Sequence, residues 1–134
     1  MCPMITSTHM LPFQLQFKSG LPAYEQVVYS VKKAIIAGAL KPGDRFPSVR
    51  VLSQELRINP NTAHKVVAAL VNERLLDVKP GIGTLVADAR PSTREQRREL
   101  LGDDVERVVV EAKQLQLDIE DVMQAVQQHW SRLS

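Results

Sequence analysis

Aromatic side chains are scarce, with Phe, Tyr and Trp together making up 4% of the 134 residues. A hydrophobic core must therefore be built from Val, Leu, Ile and Ala, and the apolar content of 44% is enough to supply one. Cysteine occurs once, as Cys2. That excludes a disulfide framework within the chain and fits a reducing, cytoplasmic setting. No stretch approaches the roughly eighteen consecutive apolar residues that a membrane-spanning helix needs, so no membrane partner is expected. The opening MCPMITSTHMLP has neither the cationic start nor the apolar run of a secretory signal. Residues 1–11 read as a flexible leader, with Met10 a second candidate start.

Catalytic constellations are missing as well. The histidines, His9, His64 and His129, are far apart and fall in different segments, which is a poor basis for a metal site. Gly81-x-Gly83 precedes no helix and so is not a phosphate-binding loop. Two acidic clusters, Asp103/Asp104/Glu106 and Asp118/Glu120/Asp121, sit near expected helix starts, where the helix dipole favours negative charge. No enzyme activity, metal or cofactor is expected. Trp130 and Met123 could line a small-molecule effector pocket, although filling a core or interface is the commoner use of such residues.

What is present is unevenly distributed. The formal charge of +2 conceals 11 Lys and Arg against 6 Asp and Glu in residues 1–91, and 6 against 9 in residues 92–134. A basic front joined to an acidic rear suits an anionic partner for the front alone. An ordinary solvated surface would account for the imbalance about equally well.

Hydrophobic spacing supplies the architecture. Alternation at Phe13, Leu15 and Phe17 reads as a short strand or extended arm over residues 12–20. After Pro22 the period lengthens, and Tyr24, Val27, Val28, Val31 and Ile35 share a helical face that Gly38 terminates. A turn-rich connector, LKPGDRFPS, ends at Ser48, a candidate cap for a helix carrying Val49, Leu52 and Leu56. Asn59 caps a third helix with Pro60 at its first position and a buried stripe of Ala63, Val66, Val67 and Leu70. Leu76–Val78 and Thr84–Val86 flank Pro80-Gly81-Ile82-Gly83 as a hairpin. Beyond Arg90-Pro91-Ser92 the chain turns helical from Thr93. Leu101, Val105, Val108, Ala112 and Leu115 recur in steps of four and three residues, a narrow seam of the kind that pairs helices. Gly102 is placed to interrupt or bend that helix. A last helix begins near Asp118 and Asp121, with Ile119, Val122, Val126, Trp130 and Leu133 inward.

Three helices and a hairpin form a winged helix-turn-helix, so the fold class is mainly α with a small β-hairpin. The expected division is a leader over residues 1–11, a winged helix-turn-helix over 12–90 and a two-helix tail over 91–134. A tail this short cannot enclose its own core. Its seam calls for a partner, most simply the tail of a second copy, which places Leu101, Val105, Val108, Ala112, Leu115, Val122, Val126 and Trp130 at a dimer interface.

The third helix begins with a compact polar run, Asn59-Pro60-Asn61-Thr62, before turning apolar. In a helix-turn-helix the first residues of the second motif helix enter the major groove, where base edges are read by hydrogen-bonding groups. Asn61, Thr62, His64 and Lys65 lie off the apolar stripe and face outward. Asn61 can bond adenine through two atoms, and Lys65 can meet guanine or phosphate. Simple capping by Asn59 and Thr62 remains the competing account of the same run.

Residues 38–88, with the lead-in LPAYEQ, resemble the DNA-binding domain of GntR-family transcription regulators. Gly38, Leu40, Pro42, Gly43, Asp44, Pro47, Ser48, Arg50, Gly81, Gly83 and Thr84 follow the family pattern in order. INPNT at residues 58–62 and the short tail look like the YtrA-type subfamily, whose two-helix tails serve dimerisation. The resemblance implies that Ser48, Arg50, Asn59, Asn61, Thr62, His64, Lys65, Lys79, Gly81 and Gly83 face DNA. Arg50 would grip guanine or phosphate through two bonds, or else pair within the chain to Asp44 or Glu55. Gly81 and Gly83 mark a wing tip for the minor groove or a plain turn. Relatives often carry Arg at this wing, whereas here Lys79 is the only nearby cation, so wing contacts should be fewer. Tyr24 matches a family position near the DNA backbone, with packing under the first helix the favoured role.

The implied function is a homodimeric, sequence-specific transcription regulator, expected to be a repressor, bound to a near-palindromic double-stranded operator. The alternative is a winged helix used as a protein-interaction adaptor without an operator.

Overall fold

The computed structural model describes Leu11, Leu15 and residues 17–133. It divides into two compact units, Met1–Ala89 and Arg90–Ser134. Of the arm expected over residues 12–20, the described residues form no strand: Leu15 and Phe17–Lys18 are irregular, and residues 19–20 turn. Phe13 lies outside the described residues. Among the described residues no strand pairs with this arm, and the backbone polar groups of Lys18 are met by a side chain instead. Gln26 accepts from Lys18 N–H at 2.8 Å through Oε1 and donates from Nε2 to Lys18 O at 2.9 Å.

In the first unit, helix α1 spans Ala23–Ala37 and stops where Gly38 adopts φ 87°. Ala39 N–H then bonds back to Ala34 O at 2.9 Å, satisfying a carbonyl of the last turn. Helix α2, Val49–Leu56, starts at Ser48, whose hydroxyl accepts from Val51 N–H at 3.2 Å. Helix α3, Pro60–Asn72, starts at Asn59 with proline in the first turn, where a missing N–H costs nothing. Both α1 and α2 pack on α3. At the crossing, Val27, Val31, Leu52, Ala63, Val66 and Leu70 are 0% exposed. Each large apolar side chain buried this way contributes about 1.5–3 kcal/mol. Val67, expected in the buried stripe, is half-buried.

Strands β1, Leu76–Lys79, and β2, Gly83–Val86, pair antiparallel with Leu76 opposite Val86 and Lys79 opposite Gly83. The connector before α2 adds a third edge. Val86 N–H donates to Asp44 O at 2.8 Å, Phe46 N–H donates to Thr84 O at 2.8 Å, and Arg45 bridges Leu85. The prolines and Gly43 shape this return, and Leu40 and Phe46 anchor it in the core. The hairpin is thereby tied to the segment that leads into α2.

In the second unit, Thr93 is the cap rather than the first helical residue. Its hydroxyl accepts from Gln96 N–H at 3.1 Å, while Gln96 Oε1 accepts from Thr93 N–H at 2.8 Å. Helix α4, Arg94–Arg98, runs into a π-helical segment, Glu99–Asp104, and then into α5, Val105–Gln114. The interruption expected at Gly102 is thus a widening of the helix, not a break. Helix α6 spans Ile119–Leu133. Its first turn is closed by Asp121, whose carboxylate accepts from Asp118 N–H at 3.0 Å. α5 and α6 make little contact with one another. Of the inward face expected for α6, only Val122 and Leu133 are half-buried, while Ile119, Val126 and Trp130 are exposed.

Candidate nucleic-acid interface

The start of α3 combines three features from local sequence chemistry. The Asn59 carboxamide oxygen accepts from Asn61 N–H at 2.8 Å, so Asn59 does cap the helix. The bond commits its acceptor and leaves its NH₂ group to offer outward, which suits a phosphate oxygen better than a two-atom match to adenine. Asn61, His64 and Lys65 are exposed, and Thr62 is half-buried. Beneath them Ala63 and Val66 are sealed in the core, so the polar positions are carried on a fixed support.

Lys65 does not stand free in solvent: its ammonium lies over the Tyr24 ring, 4.2 Å from the centroid. Tyr24 is half-buried and packed against the core, which is the packing role expected for it. Nothing in the spacing of α3 signals this contact, because it joins residues 41 positions apart in the sequence.

Ser48 and Arg50 flank the start of α2, and Arg50 is exposed. Among the described residues, the ion pairs run from Lys32 to Glu73 and from Arg107 to Asp104, and none joins Arg50 to Asp44 or Glu55. The Asp44 carboxylate accepts instead from Lys41 N–H at 2.9 Å. The guanidinium is therefore available for a bidentate contact.

At the wing, Gly81 and Gly83 adopt φ 79° and 122°, values that side chains with a Cβ rarely take. Ile82 N–H closes the turn on Lys79 O at 3.0 Å. Lys79 is exposed beside exposed Val78 and Ile82, so the tip is largely apolar. Arg45, whose place beside β2 the sequence did not disclose, adds a cation to this small sheet. Nearby amides at the starts of α2 and α3 complete a surface suited to phosphates.

In the second unit the seam residues Leu101, Val105, Val108, Leu115, Val126 and Trp130 are exposed, with Trp130 at 77% and Leu101 at 70%. Ala112 is buried within its own chain and Val122 half-buried. Among the described residues there is no cluster of three metal-ligating side chains, and no helix is long and apolar enough to cross a membrane.

The family model described as bacterial regulatory proteins of the gntR family matches residues 23–86. This interval holds α1, α2, α3 and the hairpin. The chain is similar to the HTH-type transcriptional repressor YtrA of Bacillus subtilis, 29% identical over 108 residues that cover 80% of this chain and 83% of the repressor. Its fold matches the crystal structure of a transcriptional antiterminator from Listeria monocytogenes, with a TM-score of 0.82 at 24% identity over 90% of this chain and 91% of the other. It also matches the DNA-binding domain of AraR solved in complex with operator ORX1, with a TM-score of 0.51 at 30% identity over 59% of this chain and 99% of that domain.

Proposed function

We propose, from the premise that this chain belongs to the GntR family of bacterial regulatory proteins through residues 23–86, that it is a homodimeric repressor of transcription bound to a near-palindromic operator. As a member of that family it is a DNA-binding transcription regulator. The observation that carries the finer reading is the exposed polar start of α3 mounted on a buried apolar stripe. That division of labour is what major-groove reading requires.

In this reading Arg50, Asn61, Thr62, His64 and Lys65 meet bases or phosphates. Ser48, Asn59 and the backbone at Gly81 and Gly83 position the domain on the duplex, with Lys79 adding a phosphate contact. Residues 12–90 form the DNA-binding part and residues 91–134 the dimerisation tail. The exposed seam of Leu101, Val105, Val108, Leu115, Val126 and Trp130 supports pairing with a second copy, since α5 and α6 do not cover each other. A two-fold pair would set two α3 helices into successive major grooves. The name of the Bacillus subtilis relative supports repression, and the AraR complex supports operator binding by a domain of this shape. The protein acts in the cytoplasm and catalyses no reaction, and a small-molecule effector would act through the tail.

A docking role for protein partners would require an apolar outward face at the start of α3, and that face is polar. The test begins with selection of duplexes from a random pool by the full chain. Fluorescence anisotropy then compares the selected duplex with its scrambled version at two salt concentrations. A preference that survives the higher salt is expected. Equal, salt-sensitive binding to both duplexes would overturn the reading.

A further inference from the structure

We propose that Tyr24 is a positioning residue for DNA recognition: its ring face seats the Lys65 ammonium and aims it from the outward start of α3. The proposal rests on the DNA-binding reading above and adds to it a role for a residue on a different helix.

The geometry is specific. Lys65 Nζ lies 4.2 Å from the Tyr24 centroid, well within the roughly 6 Å at which a ring attracts a cation. A second cation–ring contact among the described residues, Lys33 over Tyr29 at 5.7 Å, joins neighbours four apart on α1 and is longer. The Tyr24–Lys65 contact bridges two helices. It has a counterpart at the far end of α3, where Lys32 Nζ meets Glu73 Oε1 at 2.6 Å. Tyr24 and Lys32 are eight residues apart on α1, as are Lys65 and Glu73 along α3. The two contacts bracket the α1–α3 packing and fix Tyr24 against the start of α3.

The energetic logic is pre-organisation. A free lysine has four flexible side-chain bonds, and ordering them opposes binding. A ring that holds the ammonium loosely removes part of that cost in advance. The attraction on an exposed site is weak enough for the cation to remain available, and an ammonium with three N–H donors can meet a ring face and still donate to another acceptor. The chain has two tyrosines, and this one packs at the edge of a core whose fully buried members are Val, Leu, Ala and Phe46. A leucine could do that packing, but only an aromatic face can hold the cation.

The test uses the full chain and the duplex selected above. Tyr24→Phe keeps the ring and should bind within about twofold of the parent. Tyr24→Leu and Lys65→Met should each weaken binding about threefold to tenfold, the range for a ring contact or a single phosphate contact. The double variant should bind no worse than Lys65→Met alone. In nuclear magnetic resonance spectra of the free protein, the Lys65 ε-methylene protons should be shifted upfield by the ring, with the shift kept in Tyr24→Phe and lost in Tyr24→Leu. That signature in the parent protein needs no variant that risks misfolding.

Losses that multiply in the double variant would overturn the proposal, as would unshifted methylene protons in the parent. A Tyr24→Phe loss as large as that of Tyr24→Leu would assign the role to the hydroxyl and also overturn it. If Lys65→Met binds normally while Arg50→Ala is weakened, the positioning role falls and the DNA-binding reading stands. If no duplex is preferred and Arg50→Ala is without effect, the reading itself falls and the proposal with it.

Discussion

Valine and leucine are used in opposite ways in the two units. In the first, Val31, Leu52, Val66 and Leu70 are wholly enclosed by three helices of one chain. In the second, Leu101, Val108, Leu115 and Trp130 stand in solvent, and α5 and α6 leave each other largely uncovered. Apolar content alone does not separate them. What differs is closure: the first unit has helices on three sides of a shared stripe, whereas in the second α5 and α6 share little contact and no third layer covers them. The first is a finished core and the second is half of one. Contiguous exposed apolar faces of this kind mark interaction surfaces.

The contrast can be broken from either side. Val108→Asp should have the largest effect. By splitting the proposed dimer it should remove the coupling between half-sites and lower operator affinity by about 10²–10⁴, the usual scale of such linkage. Sedimentation should show a monomer, while the thermal transition of the first unit is unchanged. An intact dimer would remove Val108 from the interface. Leu70→Ala acts on the finished core and should cost about 2–5 kcal/mol of stability, read from the urea midpoint. That loss should leave the association of the tails intact.

Arg50→Ala should leave both stability and dimerisation unchanged yet weaken the selected duplex by about 1–3 kcal/mol. Unaltered anisotropy titrations would remove Arg50 from the interface. The smallest effect sharpens the comparison. Arg74 and Gln116 hold left-handed φ values of 63° and 61°, one in each unit. Relieving that strain by Arg74→Gly should stabilise the first unit by about 0.5–1 kcal/mol, after glycine's own entropy is set against the gain. Gln116→Gly should shift melting only in the proposed dimer, because a tail this short with an uncovered apolar face has little stability of its own. A matching shift in the monomeric Val108→Asp background would show instead that the tail is stable alone.

The helices of the first unit were legible because their ends are written in local chemistry. Gly38 stops α1, Ser48 caps α2, and Asn59-Pro60 opens α3, each through atoms within a few residues. The hairpin was legible from Gly81 and Gly83 for the same reason. Elements that depend on distant partners were not. The alternation at residues 12–20 suggested a strand, but a strand requires a neighbour, and the described residues there have none. The pairing of Arg45 with Leu85 and the seat of Lys65 on Tyr24 both join segments far apart in sequence. In the site, the residue types at the start of α3 disclosed which groups could face DNA. The cap expected at Asn59 is present, and what the residue types left open was which N–H its side chain would take, that of Asn61. In the tail, Gly102 marked the irregularity without revealing its form.

That form governs how the two ends of the helix are turned about their common axis. In the Glu99–Asp104 segment each N–H reaches one residue further back than in an α-helix. The stretch therefore accommodates one residue more than regular winding would. Deleting Gly102 would let ordinary winding resume and swing Arg94–Arg98 by about 100° relative to the apolar stretch that follows. One residue thus sets the angular phase between a strongly cationic helical start, with Arg94, Arg97 and Arg98, and the valines of α5. A change in chain length at this point is absorbed as rotation, leaving the spacing of Val105, Val108 and Ala112 along the helix untouched.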